Sequence, residues 1–79
     1  MAITLKLPRI SMNMVEATLV SWGVEEGATF RKGDVLYSVE TEKVTSDIEA
    51  EGDGVLLEIL APAGSEIEVG TPVCKVNPV

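Results

Sequence analysis

The chain has 79 residues, with six basic and thirteen acidic side chains and a formal net charge of −7. That length is expected to hold one small domain over residues 1–79, which needs an efficiently packed core to be stable. The acidity excludes a nucleic-acid surface, since phosphate contacts need a lysine- and arginine-rich face, and instead favours steering towards basic protein partners.

Glycines and prolines recur along the whole chain, and the apolar clusters between them are short and β-branched, as strands require. Strands are expected at residues 3–7, 17–22, 35–41, 44–50, 54–60 and 72–76, with shorter extended pieces around Phe30 and Ile67. In the fourth of these, Val44, Ser46, Ile48 and Ala50 alternate with Thr45, Asp47 and Glu49, the pattern of a half-buried strand. Residues 55–60 alternate less cleanly, and their inward face is not legible. Trp22, Phe30 and Tyr37 are the whole aromatic complement, so aliphatic packing must carry most of the burial.

A shift of 37 residues places Leu19 on Leu56, Gly27 on Gly64, Gly33 on Gly70 and Val39 on Val76. Phe30 then falls on Ile67, and Leu36 on Val73. Two halves making equivalent turns before equivalent strands are expected. Neither half can bury its own apolar face, so the two should close on each other as an all-β sandwich or flattened barrel.

With no histidine and one cysteine, neither a zinc site nor Cys/His catalysis is possible, and no internal disulfide can form. Cys74 lies in the apolar run of residues 72–76 and is expected to be a buried structural thiol. No apolar run approaches the length of a membrane span, and no signal-peptide pattern is visible. A soluble, reducing compartment and no membrane partner are therefore expected.

The two strands around Ser38-Val39-Glu40-Thr41 and Val44-Thr45-Ser46-Asp47 meet at Glu42-Lys43, so Lys43 is expected at the tip of a β-hairpin. Two-residue hairpins favour glycine or asparagine because their primed turns need positive φ. Glu42-Lys43 offers neither, which predicts a type I turn. A lysine ammonium, with a pKa near about 10.4, is not a base at neutral pH. Carboxylates at Glu40, Glu42 and Asp47 favour its charged form further. Lys43 is thus suited to modification or recognition by another protein rather than to chemistry of its own. An exposed Glu-Lys turn that merely keeps a sheet edge soluble is the competing reading.

Glu40-Thr41-Glu42-Lys43-Val44 resembles the Glu-Thr-Asp/Glu-Lys-Ala/Val signature of lipoyl domains from the dihydrolipoyl acyltransferases of 2-oxo acid and acetoin dehydrogenase complexes. The run from Leu7 through Pro8, Ser11 and Met14 is similar to the family's Pro-x-Leu-Ser-x-x-Met opening. Trp22, Gly33-Asp34-Val35-Leu36, Ile48-Glu49-Ala50, Gly54-Val55 and Gly70-Thr71-Pro72-Val73 continue the likeness. Glu16-Ala17 stands where the family commonly has Glu-Gly, and Gly27-Ala28 where it often has Gly-Asp. Biotin carriers place their lysine between two methionines; Glu42 and Val44 hold those positions here.

The resemblance implies a flattened β-barrel of two four-stranded sheets with quasi-twofold symmetry (a barrel-sandwich hybrid), and a non-catalytic carrier belonging to an acyltransferase component. It implies that Lys43 bears covalent lipoic acid, with Glu42 and Val44 as the flanks of the attachment motif. Partners would be a thiamin-dependent decarboxylase, the acyltransferase catalytic core, a dihydrolipoyl dehydrogenase and the lipoylating enzyme. Asn13, in the loop after the first strand, is expected to take part in partner recognition with Glu40 and Asp47. Met14 is expected to pack in the core. The isolated domain would be monomeric, and its home the bacterial cytoplasm or the mitochondrial matrix. A biotin carrier and a cofactor-free β-barrel interaction module are the alternatives.

Overall fold

Alternation of small, β-branched and polar residues between glycine turns produces eight strands and two sheets. The structure, a computed structural model, describes residues 2–10, 12, 14–42 and 44–78. The strands are β1 (Ile3–Lys6), β2 (Glu16–Trp22), β3 (Thr29–Phe30), β4 (Val35–Glu40), β5 (Thr45–Glu49), β6 (Gly54–Ile59), β7 (Glu66–Glu68) and β8 (Pro72–Pro78). They form two antiparallel four-stranded sheets, ordered β1-β8-β6-β3 and β5-β4-β2-β7. Both short extended pieces, around Phe30 and Ile67, are real strands. The expected all-β, two-sheet architecture is the observed one.

Exchanging β1 with β5, β2 with β6, β3 with β7 and β4 with β8 converts one sheet order into the other. The 37-residue repeat is therefore structural, and it extends to individual hydrogen bonds. Gly27 donates its amide to the Leu56 carbonyl at 2.6 Å, and Gly64 to the Leu19 carbonyl at 2.7 Å. Gly27, Gly33, Gly64 and Gly70 all have φ between 86° and 93°, each third in a four-residue turn. The bonds Ala28→Glu25, Asp34→Arg31, Ser65→Pro62 and Thr71→Glu68 close those turns. Positive φ at the third position is the type II pattern, and it is why glycine recurs at these places in both halves.

The repeat's apolar pairs are the core. Leu19 and Leu56, Leu36 and Val73, Val39 and Val76, and Phe30 and Ile67 are all buried, joined by Leu7, Met14, Ala17, Tyr37, Ala50, Ala61 and Cys74. Met14 packs there as expected, its sulfur accepting the Ile10 amide at 3.3 Å. Trp22 and Tyr37 pack as tilted rings with centroids 4.9 Å apart, and the Trp22 indole donates to the Ala61 carbonyl at 2.8 Å. Cys74 is a buried free thiol, and burial pushes its pKa up to about 11. The Tyr37 hydroxyl is pushed up to about 12 by burial first and the neighbouring Cys74 second. Both stay neutral at physiological pH, as packing residues should.

Four register shifts depart from simple alternation, and two of them bear on how the sequence reads. The register between β6 and β8 shifts between Leu56 and Glu58, and between β2 and β4 it shifts between Leu19 and Ser21. These equivalent irregularities turn Leu57 and Val20 outward, 44% and 42% exposed. A bulge adds one residue and breaks the two-residue period, which is why residues 55–60 do not read cleanly. Ala17, at the family's usual glycine, is an ordinary buried strand residue paired with Ile67, without positive φ.

Candidate functional site

The β4–β5 hairpin builds the site. Its register pairs Val39 with Ser46 and Glu40 with Thr45, and the Thr41 amide donates to the Val44 carbonyl at 2.8 Å. In the sequence, Glu42 and Lys43 stand between Thr41 and Val44. Lys43 and Asn13, the two residues on which the sequence reading leans most for modification and recognition, lie outside the described residues. Their neighbours are described. Glu42 is exposed, and its φ is not positive, which agrees with the unprimed turn expected from its sequence.

Val44 corrects the sequence reading. The alternation assigned it to the inward face of the strand, but β5 begins at Thr45 and Val44 is 52% exposed. Its backbone is engaged by Thr41 instead: the Val44 amide donates to Thr41 Oγ1 at 3.3 Å, and that hydroxyl donates to the Val44 carbonyl at 3.3 Å. The strand's pleat therefore starts one residue later than the alternation suggests. Both flanks of position 43 face solvent.

Glu40 and Asp47 are exposed, and the register places both on the outer face of the same sheet. Asp47 stands opposite Ser38 and accepts its hydroxyl at 2.7 Å, which fixes the carboxylate's direction. Glu40 sits between Thr45 on β5 and Thr18 on β2, and Thr18 in turn faces Glu66 on β7. Next to this row, Glu16 is directly opposite Glu68. Glu16, Thr18, Glu40, Thr41, Glu42 and Glu66 line an open hollow of about 380 Å³ beside the tip. Directly opposed like charges destabilise a sheet, so packing gives no reason for this face to be acidic.

Sequence reasoning did not assign Glu16, Glu66 or Glu68 to the site. They come from β2 and β7, and only the cross-strand register gathers them next to Glu40. The one available signal was the Glu66-Ile67-Glu68 alternation around a core residue. Three other lysines sit in different settings. Lys6 and Lys75 lie in β1 and β8 of the other sheet, and Lys75 is 3.7 Å from Glu58 in an exposed ion pair. Lys32 lies in the type II turn before β4, its amide donated to Asp53 Oδ1 at 2.9 Å. Among the described residues no group of three or more His, Cys, Asp or Glu side chains is arranged to hold a metal ion.

A family model described as biotin-requiring enzyme, covering biotin and lipoyl attachment domains, matches residues 3–76. Over 71 residues, 89% of its length, the chain is 45% identical to the mitochondrial pyruvate dehydrogenase complex protein X component of Chaetomium thermophilum. It is 42% identical, over the same share, to the dihydrolipoyllysine-residue acetyltransferase component of the pyruvate dehydrogenase complex of Zymomonas mobilis. The chain spans 16% of the length of each of these relatives. The solution structure of the lipoyl domain of the 2-oxoglutarate dehydrogenase complex from Azotobacter vinelandii superposes with a TM-score of 0.79. It is 27% identical, with 95% of each chain covered.

Proposed function

The chain belongs to the biotin/lipoyl attachment family, and on that premise we propose that Lys43 carries lipoic acid in amide linkage. The domain is a lipoyl carrier of the kind found in acyltransferase components of 2-oxo acid and acetoin dehydrogenase complexes. The observation that carries the assignment is the β4–β5 hairpin, paired to Glu40 and Thr45 and joined at its end by the Thr41–Val44 backbone bond. Both neighbours of position 43 face solvent there, within the Glu-Thr-Glu-Lys-Val motif. When bound, lipoic acid supplies a dithiolane that takes up an acyl group with its own reduction and passes it to coenzyme A.

The protein's own residues present and steer. Attachment removes the lysine charge, leaving Glu40, Glu42, Glu16 and Glu66 as an uncompensated acidic rim. Such a rim orients the tip towards basic margins of partner active sites and raises the encounter rate at low ionic strength. The partners would be a thiamin-dependent decarboxylase, the acyltransferase core and a dihydrolipoyl dehydrogenase. Asp47, held by Ser38, and Asn13 are proposed as further contacts. Within a longer acyltransferase, tethering makes each delivery effectively intramolecular, at effective concentrations of roughly mM for short flexible linkers. A bacterial cytoplasm or a mitochondrial matrix would supply these partners.

Glu42 and Val44 discriminate this lysine from the others and from a biotin site, because the modifying enzyme meets one carboxylate and one branched apolar side chain where a biotin carrier has methionines. Lys32 is a turn lysine too, but its turn is closed by a left-handed glycine and tied to Asp53. Co-expression with a lipoate ligase and intact-mass measurement tests the assignment. One added lipoyl group, lost in Lys43→Arg, is expected. No added mass under conditions that modify a control lipoyl domain would overturn it, as would Lys43-dependent reactivity towards streptavidin in its place.

A further inference from the structure

We propose that Thr41 is a positioning residue for Lys43, whose hydroxyl holds the hairpin tip in the geometry that the modifying enzyme reads. The inference deepens the carrier reading and rests on it.

Both primed turn types require positive φ at the first central residue, and Glu42 does not have it. Glu42 therefore excludes both primed types, and turns of types I and II twist against the right-handed twist of the strands and splay them. At the other four turns of the repeat, glycine at positive φ and a backbone bond do the closing. The tip has no glycine. Beside the backbone bond from the Thr41 amide to the Val44 carbonyl, its closure rests on one side chain.

Thr41 is suited to that task. A hydroxyl offers one donor and two acceptor positions, and here it uses both functions on one residue. Oγ1 accepts the Val44 amide and donates to the Val44 carbonyl, each at 3.3 Å, and the same carbonyl accepts the Thr41 amide at 2.8 Å. Each side-chain contact is long, and their effect comes from acting together across the base of the turn. β-Branching restricts χ1, so the oxygen is held near Val44 instead of rotating through three wells. Thr41 and Val44 are the residues on either side of Glu42-Lys43. Loss of the clasp loosens the pair that the modifying enzyme must recognise, while the strands behind remain paired from Glu40 and Thr45 inward.

Thr41→Val removes the hydroxyl and keeps the shape and the branching. Thr41→Ser keeps the hydroxyl. Thr45→Val, on the facing strand, is the control for a threonine lost near the tip. For each full-length variant, kcat/KM for lipoylation by a lipoate ligase is measured per folded molecule, with hydrogen exchange of the Val44 amide beside it. Thr41→Val is expected to lose roughly fivefold or more in kcat/KM, the factor that accompanies one net hydrogen bond. Its Val44 amide exchanges faster by a similar factor. Thr41→Ser restores most of both, and Thr45→Val leaves both unchanged. Thr41→Val modified at the wild-type rate, or Thr41→Ser no better than Thr41→Val, overturns the role of the hydroxyl while leaving the carrier reading intact. Wild-type protein that gains no lipoyl group overturns the carrier reading itself, and this inference with it.

Discussion

Replacing Gly23 by alanine should damage this domain more than the same change at glycines that look more constrained. Gly23 follows β2 and has no positive φ. A methyl placed there would run into the Val35 carbonyl oxygen and stand 3.3 Å from its carbon. The Gly23 amide also donates to the Leu36 carbonyl at 2.8 Å, so two backbone segments are held in contact. No rotamer change relieves such a clash; the end of β2 must separate from the start of β4. Overpacking of about 2 kcal/mol and a lost hydrogen bond of about 1 kcal/mol sum to roughly 3 kcal/mol. Gly27 has φ of +86° and open space around an added methyl, so Gly27→Ala costs only the left-handed backbone, about 1–2 kcal/mol. By the internal symmetry Gly64→Ala should cost the same. Gly52 has neither constraint, and Gly52→Ala should be neutral or stabilise by up to about 1 kcal/mol through the unfolded chain. At about 4–8 °C per kcal/mol for a domain of this size, the order of melting temperatures is Gly52→Ala, then Gly27→Ala and Gly64→Ala together, then Gly23→Ala lowest. Thermal and urea unfolding followed by Trp22 fluorescence and circular dichroism reads it. A Gly23→Ala protein melting with Gly52→Ala would refute the close approach of β2 and β4 on which the hairpin's placement depends.

Cys74 should resist alkylation in the folded protein at pH 8, with a rate that tracks global unfolding, because its thiol is buried and pushed up to about 11; fast reaction with a small thiol reagent would contradict that packing. Cys74 and Tyr37 both have raised values in the fold, from 9.0 to about 11 and from 10.0 to about 12. Above about pH 9 the folded state therefore binds more protons than the unfolded one. The stability they contribute is full below that pH and is lost as pH rises through 11 and 12, which urea midpoints across the alkaline range will show. Glu42→Met with Val44→Met should slow lipoylation and admit biotinylation, and an unchanged lipoylation rate would remove the flanks from selectivity. Glu40→Gln with Asp47→Asn keeps the Ser38 acceptor and removes two charges. It should raise KM for reductive acylation by the cognate decarboxylase at low salt, with the difference shrinking as salt screens the pair; a salt-independent effect would argue for direct contact instead of steering.

Length, glycine spacing and strand periodicity determined most of this architecture. Gly27, Gly33, Gly64 and Gly70 mark equivalent turns because only glycine enters positive φ without penalty, so the repeat was visible as identities at a fixed shift. The repeat set Leu19 against Leu56 and Leu36 against Val73, and all four are buried, although the sequence did not show which face of residues 55–60 points inward. Local patterning could not reveal the bulges at Val20 and Leu57, which depend on the partner strand's register. Nor could it tell that Val44 belongs to the turn, because the Thr41 clasp is a side-chain hydrogen bond that overrides the alternation. The attachment motif is contiguous and could be read residue by residue. The acidic face is not: Glu16, Glu66 and Glu40 are far apart in the chain and meet only because β2 pairs with both β4 and β7. Short-range chemistry is written in sequence order, whereas a surface field is a sum over neighbours that tertiary pairing alone selects.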